Sequence, residues 1–440
     1  MIMASSPCTK ITASPTGTPV ELLYAIFAAL DRTSPEYKPT LASCTLVSKH
    51  WSAPAQASLF ATVSVDCKDK TVQRFADFLT LAPGRRLGHY VRHLELGSLR
   101  LLSTLAAIML SLPALCSLSL DADFTDDDPL FPDDWTPRPL DLLALKVPAN
   151  CHTDVHVWLA FFGMFSRVQT LRVHAGYWDG QLRRRVSSFD QPGWLPSLPS
   201  LEVSHLDIDD NSNTLIPVLL TNSPSAHTLQ SISLDAYRPL SPAMIQLMQG
   251  ATGLRHVRVD MKYPGQTMFD LLCKLDIKKF VVRHLSPFSQ ITSLEVLMRL
   301  KADSQRLNIL AVNGLFSRNC ALLSLQRITV VMDMTSSIYG PCDMSERKKK
   351  HLTQTLPHMP WQCFEEQLAA SHYLEDLRFV VVLSATELEP WEECFESIRS
   401  RLPILDEKGV LRFEMGQPKR EWQRWWEDYE YARSLEHLAL

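Results

Sequence analysis

A short apolar pattern returns along most of this chain and decides its fold. It reads VRHLEL at residues 91–96, LCSLSL at 115–120, LLALKV at 142–147 and VQTLRV at 168–173. In each copy the first, fourth and sixth residues are apolar, and a polar residue separates the last two apolar positions. Such alternation is typical of a short strand that is buried on one side and exposed on the other.

The pattern continues through the second half of the chain. Its later copies are Val203/Leu206/Ile208, Leu229/Ile232/Leu234, Leu254/Val257/Val259, Ile277/Phe280/Val282, Leu307/Leu310/Val312, Leu325/Ile328/Val330 and Leu374/Leu377/Phe379. Between the middle residues of successive copies, six of the ten steps measure 23 to 27 residues, which resembles the period of leucine-rich repeats. Helical stretches such as 101–110 and 156–165 lie between the copies.

A single strand–helix unit cannot cover its own apolar side, so we expect the units to stack into an irregular solenoid. The asparagine- or cysteine-containing tail of the standard leucine-rich repeat is mostly missing. An ordinary α/β domain with a parallel sheet therefore remains the alternative.

Three short amphipathic helices are expected before the repeats. Thr18, Pro19 and Glu21 form a helix start, in which Thr18 caps free N–H groups and Glu21 completes a capping box. Apolar residues at helical spacing follow up to Leu30, and Pro35 then marks a loop. A second helix is expected from Thr40. A third helix should begin after Ser52.

These helices resemble an F-box over residues 17–62. The likeness rests on the following motifs: Pro19-Val20-Glu21-Leu22-Leu23, Ile26-Phe27, Leu41-Ala42-Ser43-Cys44, Leu46-Val47-Ser48-Lys49, Trp51 and Leu59-Phe60. Thr18 departs from the family, which usually has an apolar residue before the proline, and the loop that holds Pro35 and Pro39 is longer than usual.

The resemblance implies that the module binds the Skp-type adaptor of a cullin-RING ubiquitin ligase. Carried over by position, the adaptor-binding residues are Pro19, Leu22, Leu23, Ile26, Val47, Trp51 and Leu59. Such a chain would be a non-enzymatic subunit that holds a protein client for ubiquitin transfer by other subunits. The alternative is a repeat scaffold without a ligase role, in which the helices only cap the N-terminal end.

The polar residues beside the middle apolar positions are candidates for client binding. If the strands line one wall, these residues face solvent on it and form a row of mixed charge. The row comprises His93, Glu95, Arg172, His205, Asp207, His256, Arg258, Lys279 and Arg327. Each of them taken singly can also be an ordinary solvated strand residue.

Composition excludes several classes of protein. A net charge of −4 argues against binding nucleic acid by phosphate neutralisation. The ten cysteines include no C-x-x-C pair, which favours reduced thiols in the cytoplasm or nucleus. The uncharged stretch 101–120 contains Pro113 and several serines, and the repeat pattern divides it into a helix and a strand, so we expect no membrane span.

No motif for catalysis or cofactor binding is present, and we expect neither a cofactor nor a metal ion. The sequence lacks G-x-S-x-G, G-x-x-x-x-G-K-S/T, G-x-G-x-x-G and H-E-x-x-H. Cys151, His152 and His156 form a possible metal cluster, but they have no second ligand pair. The aspartates of 121–134 lack the glycine and glutamate of a calcium loop.

The expected organisation is a fold of the α/β class in five parts. They are a disordered lead (1–16), the F-box-like module (17–62), a connecting helix (63–90), the repeat solenoid (91–385) and a C-terminal helical cap (386–440). Within the solenoid, residues 335–351 are expected to form a mobile insertion with a basic run at 346–350. In the cap, Trp422, Trp425, Trp426 and Tyr429 share one helix face and should close the solenoid.

Overall fold

A computed structural model of the chain describes most of the repeat region and the N-terminal helices. The described residues are 19–30, 34–65, 69–125, 135–147, 155–175, 198, 200–208, 215–235, 240–261, 290–299, 325–333, 361–369, 371–382 and 392–416. The chain divides into two compact units, Met1–Lys146 with Cys151–Phe161, and Val147–Asn150 with Phe162–Leu440.

The first unit contains four parallel strands and most of seven helices among its described residues. The helices are α1 (Val20–Ala29), α2 (Tyr37–Val47), α3 (Lys49–Leu59), α4 (Asp69–Thr80), α5 (Ala82–Gly88), α6 (Leu102–Ser111) and α7 (Val155–Gly163), whose last two residues belong to the second unit. The strands are β1 (Thr62–Val65), β2 (His93–Leu99), β3 (Ser117–Ala122) and β4 (Arg138–Val147). Each strand pairs in parallel with the next strand in sequence.

The second unit repeats this arrangement with eight parallel strands. They are β5 (Phe165–Ala175), β6 (Glu202–Ile208), β7 (Ser231–Asp235), β8 (His256–Met261), β9 (Ser293–Arg299), β10 (Arg327–Asp333), β11 (Asp376–Val382) and β12 (Leu411–Gly416). Each again pairs in parallel with its successor. The helices are α8 (Leu215–Thr221), α9 (Ser225–Thr228), α10 (Pro242–Gly250), α11 (Trp361–Ala369), α12 (Glu392–Arg399) and α13 (Pro403–Glu407).

Alternation of apolar and polar residues explains the strands. In β11, for example, Leu377, Phe379 and Val381 are buried, whereas Asp376 and Arg378 are partly exposed. Successive side chains of a strand point to opposite sides, so the apolar set forms the core on one side and the polar set lies on the other. In the first unit α4 covers the apolar side of β1 and β2, burying its own Val72, Ala76 and Leu79.

A buried carboxylate fixes the last strand of the second unit. Glu365 of α11 accepts hydrogen bonds from the backbone N–H groups of Ile404 (2.5 Å) and Leu405 (3.2 Å), at the start of α13. The Lys408 ammonium donates to the carbonyl of Ala369 at the end of α11 (2.6 Å). Because β12 follows α13 after three residues, these bonds help to hold it in register beside β11.

The expectation of an α/β fold is confirmed, and its strands are parallel. Nine copies of the apolar pattern lie in β2–β8, β10 and β11, whereas the copies at 277–282 and 307–312 lie outside the described residues. β9 was missed, although Ile291, Leu294 and Val296 follow the same pattern. Neither β1 nor β12 was expected. Phe60, Val63 and Val65 do match the pattern and lead into β1. In β12, Leu411 and Phe413 fit its last two positions, but Lys408 stands at the first.

Two of the expected segment assignments change in detail. Residues 63–90 were expected to form one connecting helix, but they contain the end of β1 and the two helices α4 and α5, which separate at Leu81. Residues 386–440 were expected to form a helical cap, but their described part also contains β12. Residues 1–16, the insertion at 335–351, Thr18 and the aromatic residues after 416 lie outside the described residues.

The uncharged stretch 101–120 forms α6 and the first part of β3, as the repeat pattern predicts. Across the part of the chain that the structure describes, no helix has the length and apolar character needed to cross a membrane.

Candidate functional site

The first candidate surface lies on α1–α3, which have a hydrophobic core of their own. Its buried members are Leu23, Phe27, Leu41 and Ala55. Five partly buried residues pack around them: Leu30, Tyr37, Cys44, Trp51 and Leu59. All nine residues belong to α1–α3 or directly follow α1, and the rings of Phe27 and Trp51 meet edge to face with centroids 5.9 Å apart. The three helices therefore form a small module around one aromatic contact.

Helix α1 is apolar on more of its surface than this core can cover. At 100° per residue, Leu23, Phe27 and Leu30 form the stripe that faces the core. Leu22 and Ile26 lie on one flank of this stripe and remain 50% and 41% exposed. Val20 and Tyr24, on the opposite flank, are also exposed.

A second exposed apolar pair lies at the end of α2. Leu46 and Val47 are 85% and 65% exposed. The chain turns sharply there, because Ser48 ends α2 and also caps α3 by accepting a hydrogen bond from the backbone N–H of Trp51 (3.4 Å). We call these four exposed apolar residues, Leu22, Ile26, Leu46 and Val47, the docking residues.

The structure divides the expected adaptor-binding residues into two groups. Pro19, Leu22, Ile26 and Val47 are exposed and available to a partner. Leu23 is fully buried, and Trp51 and Leu59 are partly buried against the module core, so these three stabilise the module. Leu46, which the sequence-based assignment left out, is the most exposed large apolar residue of the module. Adaptor binding itself stays a prediction.

The second candidate surface is the polar side of β5–β12. The strand register places polar residues beside one another in two rows. The first row contains Thr170, His205, Ser231, His256, Ser293, Arg327 and Asp376, and the second contains Arg172, Asp207, Ser233, Arg258, Glu295, Thr329, Arg378 and Arg412. We call this surface the polar sheet face.

Across β5–β9 the polar side chains bind their neighbours on the next strand. Arg172 pairs with Asp207 (Nε–Oδ2 3.3 Å), and Arg258 pairs with Glu295 (Nε–Oε1 3.4 Å). In the first row, His205 Nδ1 lies 2.7 Å from Ser231 Oγ, and His256 Nδ1 lies 2.9 Å from Ser293 Oγ. Charge on this part of the face is therefore largely balanced within the protein.

Across β10–β12 the same face is richer in arginine. Arg378 lies between two carboxylates, with Nη2 3.0 Å from Asp376 Oδ2 and Nη1 3.3 Å from Glu414 Oε1. Arg327 and Arg412 lie on either side of it and are exposed. The sequence-based assignment includes Arg327 but neither Arg378 nor Arg412. Arg378 lies between Leu377 and Phe379, at the pattern position that Arg258 occupies in its own copy, so the pattern could have identified it. Arg412 lies on β12, which was not expected.

The expected client-binding residues are distributed over both units. His93 and Glu95 are exposed on β2 of the first unit, in register with Ser117 and Ser119 of β3. Arg172, His205, Asp207, His256, Arg258 and Arg327 all lie on the polar sheet face of the second unit. Lys279 lies outside the described residues. Client binding by any of them stays a prediction.

Among the described residues, partial burial shifts the pKa of three titratable groups, and for the Arg138 guanidinium it lowers the pKa from its ordinary value. Burial lowers the pKa of His205 from its usual 6.5, which favours the neutral ring on the polar sheet face. Burial, with a smaller contribution from Asp141, raises the pKa of the Cys116 thiol, which donates to the carbonyl of Arg92 (3.3 Å). A thiol held in this protonated form is a poor nucleophile.

Among the described residues, no group of three or more His, Cys, Asp or Glu side chains could hold a metal ion. Cys151 and His152 lie outside that part of the chain, whereas His156 lies in α7.

Comparisons with protein-family models and with curated proteins find no match for this chain. Its function must therefore be argued from its own surfaces.

Proposed function

We propose that this chain is a substrate-recognition subunit of a cullin-RING ubiquitin ligase. In this proposal α1–α3 form an F-box that binds a Skp-type adaptor, and the strands and helices that follow form an irregular leucine-rich-repeat-like body. The body holds a protein client on its polar sheet face, and other subunits carry out ubiquitin transfer.

The exposed apolar docking residues are the observation that carries the adaptor part. A three-helix module that completes its own core yet leaves Leu22, Ile26, Leu46 and Val47 in solvent has unburied apolar surface, which is typical of a docking site. If the module only capped the strands, these side chains should be covered by them. The pairs Leu22/Ile26 and Val20/Tyr24 have the spacing of an amphipathic helix that binds partner helices.

The strand order supports the repeat-like body. Within each unit every strand pairs with its successor in the sequence, as expected when each strand–helix unit stacks on the one before. A doubly wound α/β domain would instead reverse its strand order at a switch point. The polar sheet face then offers a continuous surface of alternating charge for a protein client.

One observation favours the alternative, a repeat scaffold without a ligase role. β1 begins at Thr62, only three residues after the end of α3, and pairs directly with β2. The helical module therefore adjoins the first strand, where an N-terminal cap would lie. The two hypotheses differ in whether the docking residues bind a partner.

Co-purification with a Skp-type adaptor tests the adaptor part. We would compare the intact chain, the variant Leu22→Glu/Ile26→Glu and a matched control, Leu101→Glu/Leu110→Glu, which changes two exposed leucines at α6. A truncated chain that starts at Ala61 would lack the module but keep β1, which begins at Thr62. Circular dichroism and thermal melting would establish that each variant is folded.

We expect the intact chain and the α6 control to retain the adaptor, and the α1 variant and the truncated chain to lose it. If a folded intact chain fails to bind any Skp-type adaptor, the ligase role is excluded and the scaffold remains. If the truncated chain still binds, the adaptor contacts a surface other than α1–α3, and the assignment of the module is wrong.

A further inference from the structure

The end of the polar sheet face, on β10–β12, differs in charge from the rest. Three arginines, Arg327, Arg378 and Arg412, lie there with the two carboxylates Asp376 and Glu414. Both carboxylates are bound by Arg378. These five residues together carry one net positive charge, whereas Arg172–Asp207 and Arg258–Glu295 on β5–β9 are one-to-one pairs. The further carboxylate on this side of β10, Asp333, is in register with Arg299 of β9 and with Val382 of β11.

The two flanking arginines present their guanidinium groups to solvent. Among the described residues, neither Arg327 nor Arg412 forms an ion pair, and the one hydrogen bond of the Arg412 side chain goes to the carbonyl of its own neighbour Leu411 (3.1 Å). Asp376 lies in register beside Arg327 but is bound by Arg378. An exposed guanidinium can bind a carboxylate through two parallel N–H groups, which makes it suited to an acidic ligand.

Apolar side chains lie next to these arginines on the same face. Val380 and Val382 follow Arg378 at two-residue steps, and Val331 is in register with Val380. All three are only partly buried. Gly416 lies in register with Val382 and has no side chain, so it leaves the valines uncovered. A Cβ at this position would lie only 2.8 Å from Val380 Cγ1. The arginines are thus bordered by a narrow apolar strip.

We infer that this surface binds an acidic peptide segment of the client, in which carboxylates alternate with apolar side chains. The carboxylates would bind Arg327 and Arg412, and the apolar side chains would contact Val331, Val380 and Val382. The inference rests on the client-holding role in the proposed function. It adds the chemical class of the ligand and the place where it binds.

The spacing of the two arginines suits an extended segment. Arg327 and Arg412 are two strands apart and offset by two residues, which separates their Cα atoms by about 12 Å. In an extended peptide, side chains four residues apart lie about 13 Å apart on one side of the chain. Arg378, fixed by its two carboxylates, lies between them and adds positive potential along the path.

Fluorescence anisotropy with short labelled peptides tests the inference on the full chain. The probe alternates Glu with Val; one comparison peptide has Gln in place of Glu, and another has Ser in place of Val. A labelled oligodeoxythymidine of similar charge tests whether the arginines simply attract polyanions. The variants are Arg327→Gln/Arg412→Gln and the control Arg85→Gln/Arg86→Gln, which removes the same charge from exposed positions on α5.

We expect the Glu/Val peptide to bind, and the Arg327→Gln/Arg412→Gln variant to bind it about fivefold or more weakly, since each exposed arginine–carboxylate contact contributes up to about 1 kcal/mol. The α5 control should bind like the unmodified chain. Both comparison peptides should bind more weakly than the probe, and binding should weaken with added salt.

Three results would overturn the inference: no binding of the Glu/Val peptide, equal loss in both arginine variants, or equal binding of the Gln peptide. If the oligonucleotide binds as tightly as the Glu/Val peptide or more tightly, the surface binds polyanions in general and the inference of a peptide ligand is wrong. Capture of the Skp-type adaptor is measured separately and depends on α1–α3. Peptide binding can therefore be absent while adaptor binding is observed, and adaptor binding can be absent while the peptide binds.

Discussion

Leu22 and Leu23 are neighbours in the sequence but lie on different sides of helix α1. Leu23 is completely buried with Phe27 and Leu41, whereas half of Leu22 is in solvent. A step of one residue turns a helix by 100°, so one leucine faces the module core and the other faces a partner or water. Stability and docking can therefore be separated by substitutions at adjacent positions.

Leu23→Ala should destabilise the module by about 3 kcal/mol, because it leaves a cavity in a small core. Leu22→Ala should change the stability by no more than about 0.5 kcal/mol, since that side chain is exposed. Hydrogen exchange of peptides from α1–α3 in the full chain measures the opening free energy of the module alone. Equal loss of protection in both variants would show that Leu22 is also part of a packed core.

Gly84→Ala should destabilise the first unit by at least about 2 kcal/mol. A Cβ at Gly84 would lie 2.0 Å from the carbonyl oxygen of Phe78 and 2.9 Å from Cα of Leu79, both backbone atoms that cannot move aside cheaply. Thermal melting should show a decrease of about 4 to 8 °C in the transition of this unit.

Gly250→Ala is the matched control for this substitution. Like Gly84 it lies within a helix, although at the end of α10 and not in a first turn, and no atom comes within 4 Å of the added Cβ. Since alanine favours a helix over glycine, this change should stabilise by up to about 1 kcal/mol. A similar decrease of the melting temperature in both glycine variants would show that the close contact at Gly84 is not the cause of the decrease.

Arg138→Met should destabilise the first unit by about 2 kcal/mol, through the loss of charged hydrogen bonds to carbonyl groups. The Arg138 guanidinium donates to the carbonyls of Met109, Leu112 (3.1 Å) and Pro113 (2.9 Å), where α6 ends. Urea unfolding would measure the change, with Arg74→Met on the exposed side of α4 as the control. Equal midpoints for the two variants would contradict a capping role for Arg138.

The stability of the second unit should depend on the protonation of His205. Burial lowers the pKa of this residue in the folded protein below its ordinary 6.5, so the unfolded chain binds a proton first as the pH falls. The contribution of the neutral ring is therefore fully present above about pH 6.5 and is lost as the pH falls below that value.

The variant His205→Gln should lose less stability than the unmodified chain between pH 7.5 and pH 5, because glutamine does not titrate. Melting temperatures measured across this range would test it. Parallel curves for the unmodified chain and His205→Gln would show that His205 does not contribute to the pH dependence.

Much of the fold could be predicted because the pattern records burial directly. Leu118, Leu171 and Ile232 each mark the centre of a strand, since a strand with one buried side requires apolar residues at alternate positions. Leu294 carried the same signal and was overlooked. Phe60, Val63 and Val65 also carried it and lead into β1, whereas Lys408 interrupts it before Leu411 of β12.

The candidate surfaces were predicted less completely. Helical spacing identified the apolar residues of α1, but it did not separate Leu22 from Leu23, because both are leucines within one broad apolar face. Only packing against α2 and α3 decides which of them is buried. Likewise Arg378 and Arg412 have 33 residues between them in sequence, and nothing local indicates that they are in register.

The sequence by itself determined that this chain forms an α/β fold of repeated strands after a set of short amphipathic helices. Periodicity is a local property, and the hydrophobic effect acts on every copy of the pattern in the same way. Tertiary structure alone decided which apolar residues of α1 stay in solvent and which arginines gather on β10–β12. Those outcomes depend on strand register and helix packing, which join residues far apart in the chain.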